Sequence, residues 1–250
     1  MSRIAVAGGT GITGTHVVDV ARARGHEVVV LARSRGVDLL SGAGLRTALT
    51  GVEAVIDVSN VETLRTDEAI SFFAGATRSL LAAEHAAGVA HHVALSIVGA
   101  DAAPEGYYAG KLAQERLIAE GPVPWTIQRA TQFHEFAAQM FVRAKAGPAH
   151  LAPRARTQPI AAREVAERLV DIAEDAPVGR ARDVAGPQEE SLVDMVRAYA
   201  RAIGHRGWIP AVSMPGAMGR AQRSGALLPG PGALLGRRTF AEWLDALPDA

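Results

Sequence analysis

Cysteine is absent from the 250-residue chain. That excludes disulfides and thiolate metal sites, and it suits a reducing, cytoplasmic setting. Net charge is absent as well. Twenty-six basic residues cancel 26 acidic ones, so no global field favours nucleic acid or an anionic membrane as a partner. No stretch approaches the roughly 20 apolar residues of a membrane span. The apolar run near the N-terminus is short and broken by glycines, which does not fit a signal peptide. There is no internal repeat. His91-His92 have no ligand partners in metal spacing, so no metal is expected. What is present is enough chain for one large α/β domain with a full core.

The organising stretch is the first fourteen residues. Arg3-Ile4-Ala5-Val6-Ala7 is an apolar run of strand length, and it stops at Gly8-Gly9-Thr10-Gly11-Ile12-Thr13-Gly14. A helical pattern follows in Val17, Val18, Val20 and Ala21, with Gly25 placed as a C-cap glycine. Gly9, Gly11 and Gly14 fit G-x-G-x-x-G, while Gly8, Gly11 and Gly14 fit G-x-x-G-x-x-G. Between a strand and a helix, such glycines let the backbone approach a pyrophosphate, and the N–H groups opening the helix face the anion. Gly8, Thr10, Gly11, Ile12 and Gly14 are therefore the expected cofactor cradle. The alternative is a plain βα turn without a ligand.

Glu27 to Ala32 reads as the second strand, ending at Arg33-Ser34-Arg35. An NAD site usually carries a carboxylate about 20 residues past the glycines. Here the strand end offers a guanidinium, which suits a 2′-phosphate and which a carboxylate would repel. Arg33 and Ser34 are thus expected to select NADP(H) over NAD; a solvated basic loop is the competing reading. Asp38 falls in the next short segment, 36–41. Leu45 to Leu49 is a short helix at best. Ala54 to Val58 is the next buried strand, and Asn60 beyond it is placed either to touch the cofactor on its ribose or nicotinamide side or to serve as an ordinary turn residue.

Thr66 to Ala87 reads as one long helix, with Ile70, Phe73, Ala74, Leu80, Leu81 and Glu84 at helical spacing. His92 to Val98 is a strand with Ser96 at its end. Tyr107 to Ile118 is a helix that puts Tyr107 and Lys111 on one face. Trp125 to Arg129 is a strand, Phe136 to Lys145 a helix, Gln158 to Ile160 a short extended piece, and Arg163 to Glu174 a helix. Arg182 to Ala185 is read as the last strand, and Ser191 as the N-cap of a helix running to Gly204. Gly and Pro crowd residues 215–236, which predicts loop. Phe240, Trp243, Leu244 and Leu247 form a final helix stripe. Alternating strands and helices behind a glycine motif predict an α/β fold, a doubly wound parallel Rossmann sheet. Residues 1–250 form a single domain in this reading, with 132–160 and 187–250 as a small C-terminal substrate lobe.

Ser96, Tyr107 and Lys111 suit carbonyl reduction. A phenol can protonate the oxygen of a carbonyl that receives hydride, although its ordinary pKa near 10 is high for exchange at neutral pH. A nearby ammonium favours the phenolate and would lower that value. Lys111 can also hold the nicotinamide ribose, and Ser96 can orient the substrate oxygen. Tyr108, three residues from Lys111, is the fallback acid. Phe133 and His134 leave the sixth strand on the expected substrate side, with His134 a substrate contact or auxiliary acid, or a helix-start residue facing solvent or the lobe. Arg129 is read as an anchor for cofactor or substrate, or as the partner of an acid.

Residues 6–14, 95–101, 107–111 and 125–133 together resemble the atypical short-chain dehydrogenase/reductases, the NmrA-like NAD(P)-binding group. The resemblance spans the whole chain. It implies a seven-stranded Rossmann sheet and a smaller C-terminal substrate lobe. It also implies one of two activities: NADPH-dependent reduction of a small carbonyl or quinone, or non-catalytic NADP(H) binding by a redox sensor. Many members lack a complete tyrosine–lysine pair, and its presence here favours an enzyme. A weaker option is an epimerase or dehydratase with tightly held NAD, against which Arg33 argues. A monomer or homodimer is expected.

Overall fold

The computed structural model describes residues 1–147 and 149–247; residues 148 and 248–250, which fall in the expected lobe, lie outside the described residues. The chain divides into two compact units. The first comprises Met1–Arg129 with Ala162–Arg182, the second Ala130–Ala161 with Asp183–Ala250.

In the first unit the order is β1 (Arg3–Ala7), α1 (Ile12–Ala23), β2 (Glu27–Leu31), α2 (Leu45–Ala48), β3 (Ala54–Asp57), α3 (Thr66–Ala87), β4 (His91–Ile97), α4 (Tyr107–Glu120) and most of β5 (Trp125–Ala130). Phe136–Arg143 (α5) belongs to the second unit, and Ala162–Glu174 (α6) and Gly179–Arg180 return to the first. The strands run in spatial order Gly179–Arg180, β5, β4, β3, β1, β2. β1 pairs in parallel with β2 on one side and β3 on the other, Ala7 lying opposite both Leu31 and Asp57. Strand order therefore reverses beside β1, and the C-terminal ends of β1 and β3 flank the reversal, where ligands of such sheets bind. Strands covered on both faces need apolar side chains at every position. Ala54, Val55 and Ile56 are all buried, as are Ile4 through Ala7.

Helix α3 packs on α4 and α1 on α6. The first contact depends on Gly110 of α4. A Cβ there would stand 2.6 Å from Phe73 Cδ2 and 2.8 Å from the Ala69 carbonyl oxygen of α3. The start of α4 is held by Thr66, whose Oγ1 accepts the Gly106 N–H at 2.8 Å.

The second unit holds α5, α7 (Leu192–Ala202), α8 (Gly216–Ser224) and α9 (Phe240–Asp245). Ser191 caps α7 by accepting the Asp194 N–H, as its position predicts, and Thr239 with Glu242 makes a capping box on α9. Phe141, Leu192, Met195, Val196 and Phe240 form its core. Val184–Ala185 pairs in parallel with Leu234–Leu235. Among the described residues the first unit contributes six strands to its parallel sheet, against the seven that the resemblance implies, and the second unit adds the pair Val184–Ala185 and Leu234–Leu235 with three small two-stranded sheets. Val184–Ala185 is thus not the last strand, and residues 215–236 are not plain loop. They contain α8 because Gly219 allows its backbone to close on the Met214 carbonyl oxygen, which a Cβ would meet at 1.9 Å.

Gly110→Ala is expected to cost about 2 kcal/mol and to lower Tm by about 6 °C, by overpacking against Ala69 and Phe73. Gly230→Ala, whose added methyl would meet nothing within 4 Å, should leave Tm within about 1 °C. Thermal unfolding followed by circular dichroism measures both.

Candidate functional site

The turn after β1 is built by backbone contact. Gly8 has φ +76°, and a Cβ on it would lie 2.8 Å from Ser59 Cα, just beyond β3. A Cβ on Gly14 would lie 2.1 Å from the Gly8 carbonyl oxygen. Gly11 differs: its nearest neighbour would be that same oxygen at 3.4 Å, so it faces open space. Gly11 is the N-cap of α1 and offers no side chain to the free N–H groups, and no acidic residue stands in the first turn. Thr10, Gly11 and Ile12 are exposed. An uncapped helix start with unpaired donors and the positive end of the dipole suits an anion. The residues present thus fit a dinucleotide pyrophosphate.

At the end of β2, Arg33 and Ser34 lie in an exposed single turn of 3-10 helix. The nearby acid, Asp38, is committed to its own loop. Its Oδ1 accepts the N–H groups of Leu40 at 2.8 Å and Ser41 at 3.1 Å. These bonds, with a smaller contribution from Arg33, hold its carboxyl below the usual range. Asn60 is exposed past the end of β3.

Tyr107 and Lys111 lie one helical turn apart on α4 and converge on Phe73 of α3. The Tyr107 ring meets Phe73 edge-on at 5.5 Å, and Lys111 Nζ stands 4.5 Å from the centre of the same ring. Tyr108 packs edge-on against Tyr107 at 6.2 Å. The ammonium is directed elsewhere, donating to the Leu95 carbonyl oxygen at 2.8 Å and to Gln114 Oε1 at 2.8 Å. Burial pushes Lys111 down to about 8, against the opposing charges of Asp57 and Glu115. The phenol moves the other way. Burial, then Tyr108 and Asp57, push Tyr107 above its ordinary value. The expected lowering of the phenol by Lys111 is therefore corrected. Desolvation and the negative neighbours prevail while the ammonium is bound to a carbonyl and an amide.

Ser96 is buried beside Glu115, and its Oγ has no hydrogen-bond partner among the described residues. The structure gathers Tyr107 and Lys111 around Phe73 but sets Ser96 against a different neighbour. Glu115 itself, 1% exposed, is gripped by two guanidinium groups. Arg129 donates from Nε at 2.8 Å and from Nη2 at 2.7 Å, and Arg180 Nη2 adds a bond of 2.7 Å. Asp101 also pairs with Arg129. These bonds keep Glu115 below and Arg129 above their ordinary values. Of the readings for Arg129, pairing with an acid is the one the structure bears out.

Sequence reasoning passed over Asp57, Gln114 and Glu115, all buried. A visible signal existed for Asp57, an acid closing the apolar run Ala54-Val55-Ile56. His91 bonds Thr126 Oγ1 at 2.9 Å, and His92 Nδ1 lies 2.9 Å from Glu84 in a pair with no exposed surface. Among the described residues no group of three or more His, Asp or Glu could hold a metal.

In the second unit Phe133 is half-buried and bridges to Ile160. His134 has no exposed surface; it sits just before α5 and faces the lobe rather than solvent. Its Nε2–H donates to the Arg238 carbonyl oxygen at 3.1 Å, and its ring lies 5.9 Å from Phe240 and 6.1 Å from Trp243. Burial pushes its pKa down to about 4. The folded form thus binds fewer protons than the unfolded chain below pH ~6.5. The stabilisation from the neutral ring is complete above ~6.5 and is lost as pH falls through about 4. His134 should account for about 3 kcal/mol of acid destabilisation. Urea unfolding at pH 7 and pH 4 checks this: His134→Gln should lose most of that difference.

A sequence model of a family described as NAD(P)H-binding matches residues 35–176, more than half of the chain, Ser96, Tyr107 and Lys111 included. No curated protein sequence matches the chain. Similar solved structures include an NADPH-dependent quinone oxidoreductase from Escherichia coli complexed with NADPH. It has TM-score 0.72 and 18% identity, over 97% of this chain and 98% of that one. A UDP-glucose-4-epimerase from Stenotrophomonas maltophila with bound NAD has TM-score 0.72 and 13% identity, over 98% and 96%. A short-chain dehydrogenase/reductase superfamily protein from Agrobacterium tumefaciens with bound NAD has TM-score 0.69 and 20% identity, over 97% and 95%. At these identities the likeness is one of fold. With a family model matched over more than half of its length, the chain belongs to the NAD(P)H-binding family.

Proposed function

We propose that the chain is an NADPH-dependent reductase of a small carbonyl or quinone substrate. The observation that carries the reading is the placement of the Tyr107 phenol and the Lys111 ammonium one turn apart on one face of α4, both against the Phe73 ring. The phenol holds its proton at neutral pH and can give it to a carbonyl oxygen that gains negative charge as hydride arrives, although its raised pKa makes it a weaker acid than an ordinary tyrosine. Lys111, near 8, can return a proton from Nζ to the phenolate left behind. Ser96, buried beside Glu115, and His134, in the core of the second unit, are left out of this machinery.

When bound, the reduced nicotinamide supplies the hydride. Gly8, Thr10, Gly11, Ile12 and Gly14 would hold the pyrophosphate through backbone N–H groups. Arg33 and Ser34 would take the adenosine 2′-phosphate, while Asp38, the nearby acid, accepts the N–H groups of its own loop through Oδ1. Asn60 and Lys111 would face the nicotinamide side. The E. coli quinone oxidoreductase, solved with NADPH, supports this cofactor and substrate class.

One observation favours a second reading, an NADP(H)-binding redox sensor without catalysis. The Lys111 ammonium is bound to the Leu95 carbonyl and to Gln114 rather than to Tyr107. NADPH oxidation across a carbonyl and quinone panel separates the two: turnover of any member establishes the reductase, and tight binding without turnover favours the sensor.

Tyr107→Phe is expected to lower kcat by about 100-fold or more, with NADPH affinity changed less than about twofold. Arg33→Ala should weaken NADPH by about tenfold and NADH by less than about twofold, measured by fluorescence titration. Equal losses for the two nucleotides would remove Arg33 from the 2′-phosphate.

A further inference from the structure

Three polar side chains lie buried under α4. Asp57 and Gln114 are each 1% exposed and Lys111 is 3% exposed. Their hydrogen bonds form one directed chain. Lys111 Nζ donates to Gln114 Oε1 at 2.8 Å, and Gln114 Nε2 donates to Asp57 Oδ2 at 2.8 Å. Asp57 Oδ1 accepts the Ser59 N–H at 2.9 Å. An ammonium has only donors and a carboxylate only acceptors, so the amide between them has a single orientation. Ser59 is also the residue against which the Gly8 backbone packs. The chain therefore runs from the glycine turn, through the end of β3, to the ammonium on α4.

We propose that Asp57 and Gln114 are positioning residues that hold the Lys111 ammonium at the Leu95 carbonyl and tie it to the glycine turn. The proposal rests on the reading of Lys111 as part of the reductase site. An ammonium on a four-carbon stem has three rotatable donors and no preferred direction of its own. Two fixed acceptors, one on β4 and one on its own helix, supply the direction. The charged groups facing it act in the same sense. Asp57 from β3 and Glu115 from α4 both favour the protonated ammonium against burial. Behind Asp57 stand His92 of β4 and Glu84 of α3, each of which feels its charge. Asp57 also contributes, after burial and Tyr108, to pushing the Tyr107 phenol up.

The sequence makes the test direct, because lysine occurs only at positions 111 and 145. Labelling the full chain with 13C-lysine yields two side-chain signals, and Lys145→Arg assigns them. In the unaltered chain the Lys111 signal should titrate near pH 8. Gln114→Leu removes an acceptor from the charged form and should lower the proton affinity of Lys111 by about tenfold. Asp57→Asn sets two amide donors facing each other and removes the charge, and should lower it as well. The double variant Asp57→Asn/Gln114→Glu reverses the polarity of the chain while keeping every bond. The new amide donates to the new carboxylate, which accepts from Lys111. In that variant the Lys111 midpoint should rise above its starting value, and Tm should return towards that of the unaltered chain. If the single variants do not fold, the double variant decides alone. A raised midpoint supports the positioning chain, and an unmoved midpoint overturns it. NADPH turnover on the same samples is read separately. Shifted Lys111 signals in a chain that turns over no substrate would keep the positioning chain and remove the reductase reading. Turnover with unmoved signals would do the opposite.

Discussion

At Gly8 and Gly14 the chain passes so close to itself that no side chain fits. The backbone of the turn lies against Ser59 on one side and closes on its own carbonyl on the other. Two consequences follow from that close approach. The ends of β1 and β3 are brought side by side at the point where strand order reverses. The N-terminus of α1 is left without a side-chain cap, its donors directed outward. A site for an anion is thus a product of steric exclusion: what the turn cannot hold in side chains it offers in N–H groups.

The interior of the first unit carries more charge than a core of this kind needs for stability. Glu115 sits beneath two guanidinium groups, Glu84 against His92, and Lys111 in a chain with Gln114 and Asp57. Removing one partner from such a pair costs about 3–5 kcal/mol, because the other is left buried and uncompensated. These pairs therefore dictate arrangement more than they add stability. Each bridges two separate elements, and two of the links, α4 to β3 and α4 to Gly179–Arg180, join parts distant in sequence. Helix α4 is placed by them and by the glycine contact with α3, and that placement is what presents Tyr107 and Lys111 on one face.

Long elements were legible in the residue pattern because their signals are dense. Thr66–Ala87 has three full apolar turns ended by Gly88, and its limits match the reading residue for residue. The five main strands were legible as apolar runs bounded by turn residues. The strand Leu234–Leu235 and helix α8 were not. A two-residue strand has no period to detect, and α8 begins at Pro215-Gly216, residues that by themselves argue for a turn. Whether such a segment folds is decided by contacts such as Gly219 on the Met214 carbonyl, which no local pattern records.

The same division runs through the site. The sequence alone determined that a glycine turn joins a strand to a helix, that Arg33 and not an acid ends β2, and that Tyr107 and Lys111 share a helix face. Each of these depends on residues a few positions apart. The tertiary structure decided what those groups do electrostatically. Lys111 turns to the Leu95 carbonyl on β4 and, through Gln114, to a carboxylate on β3. Tyr107, half-buried, is pushed up by desolvation, Tyr108 and Asp57, and His134 is kept neutral by burial against Phe240 and Trp243. Spacing in a sequence sets which face a side chain occupies. Its charge and its hydrogen-bond partners depend on solvent exclusion and on neighbours brought in from distant segments, and only the folded chain supplies those.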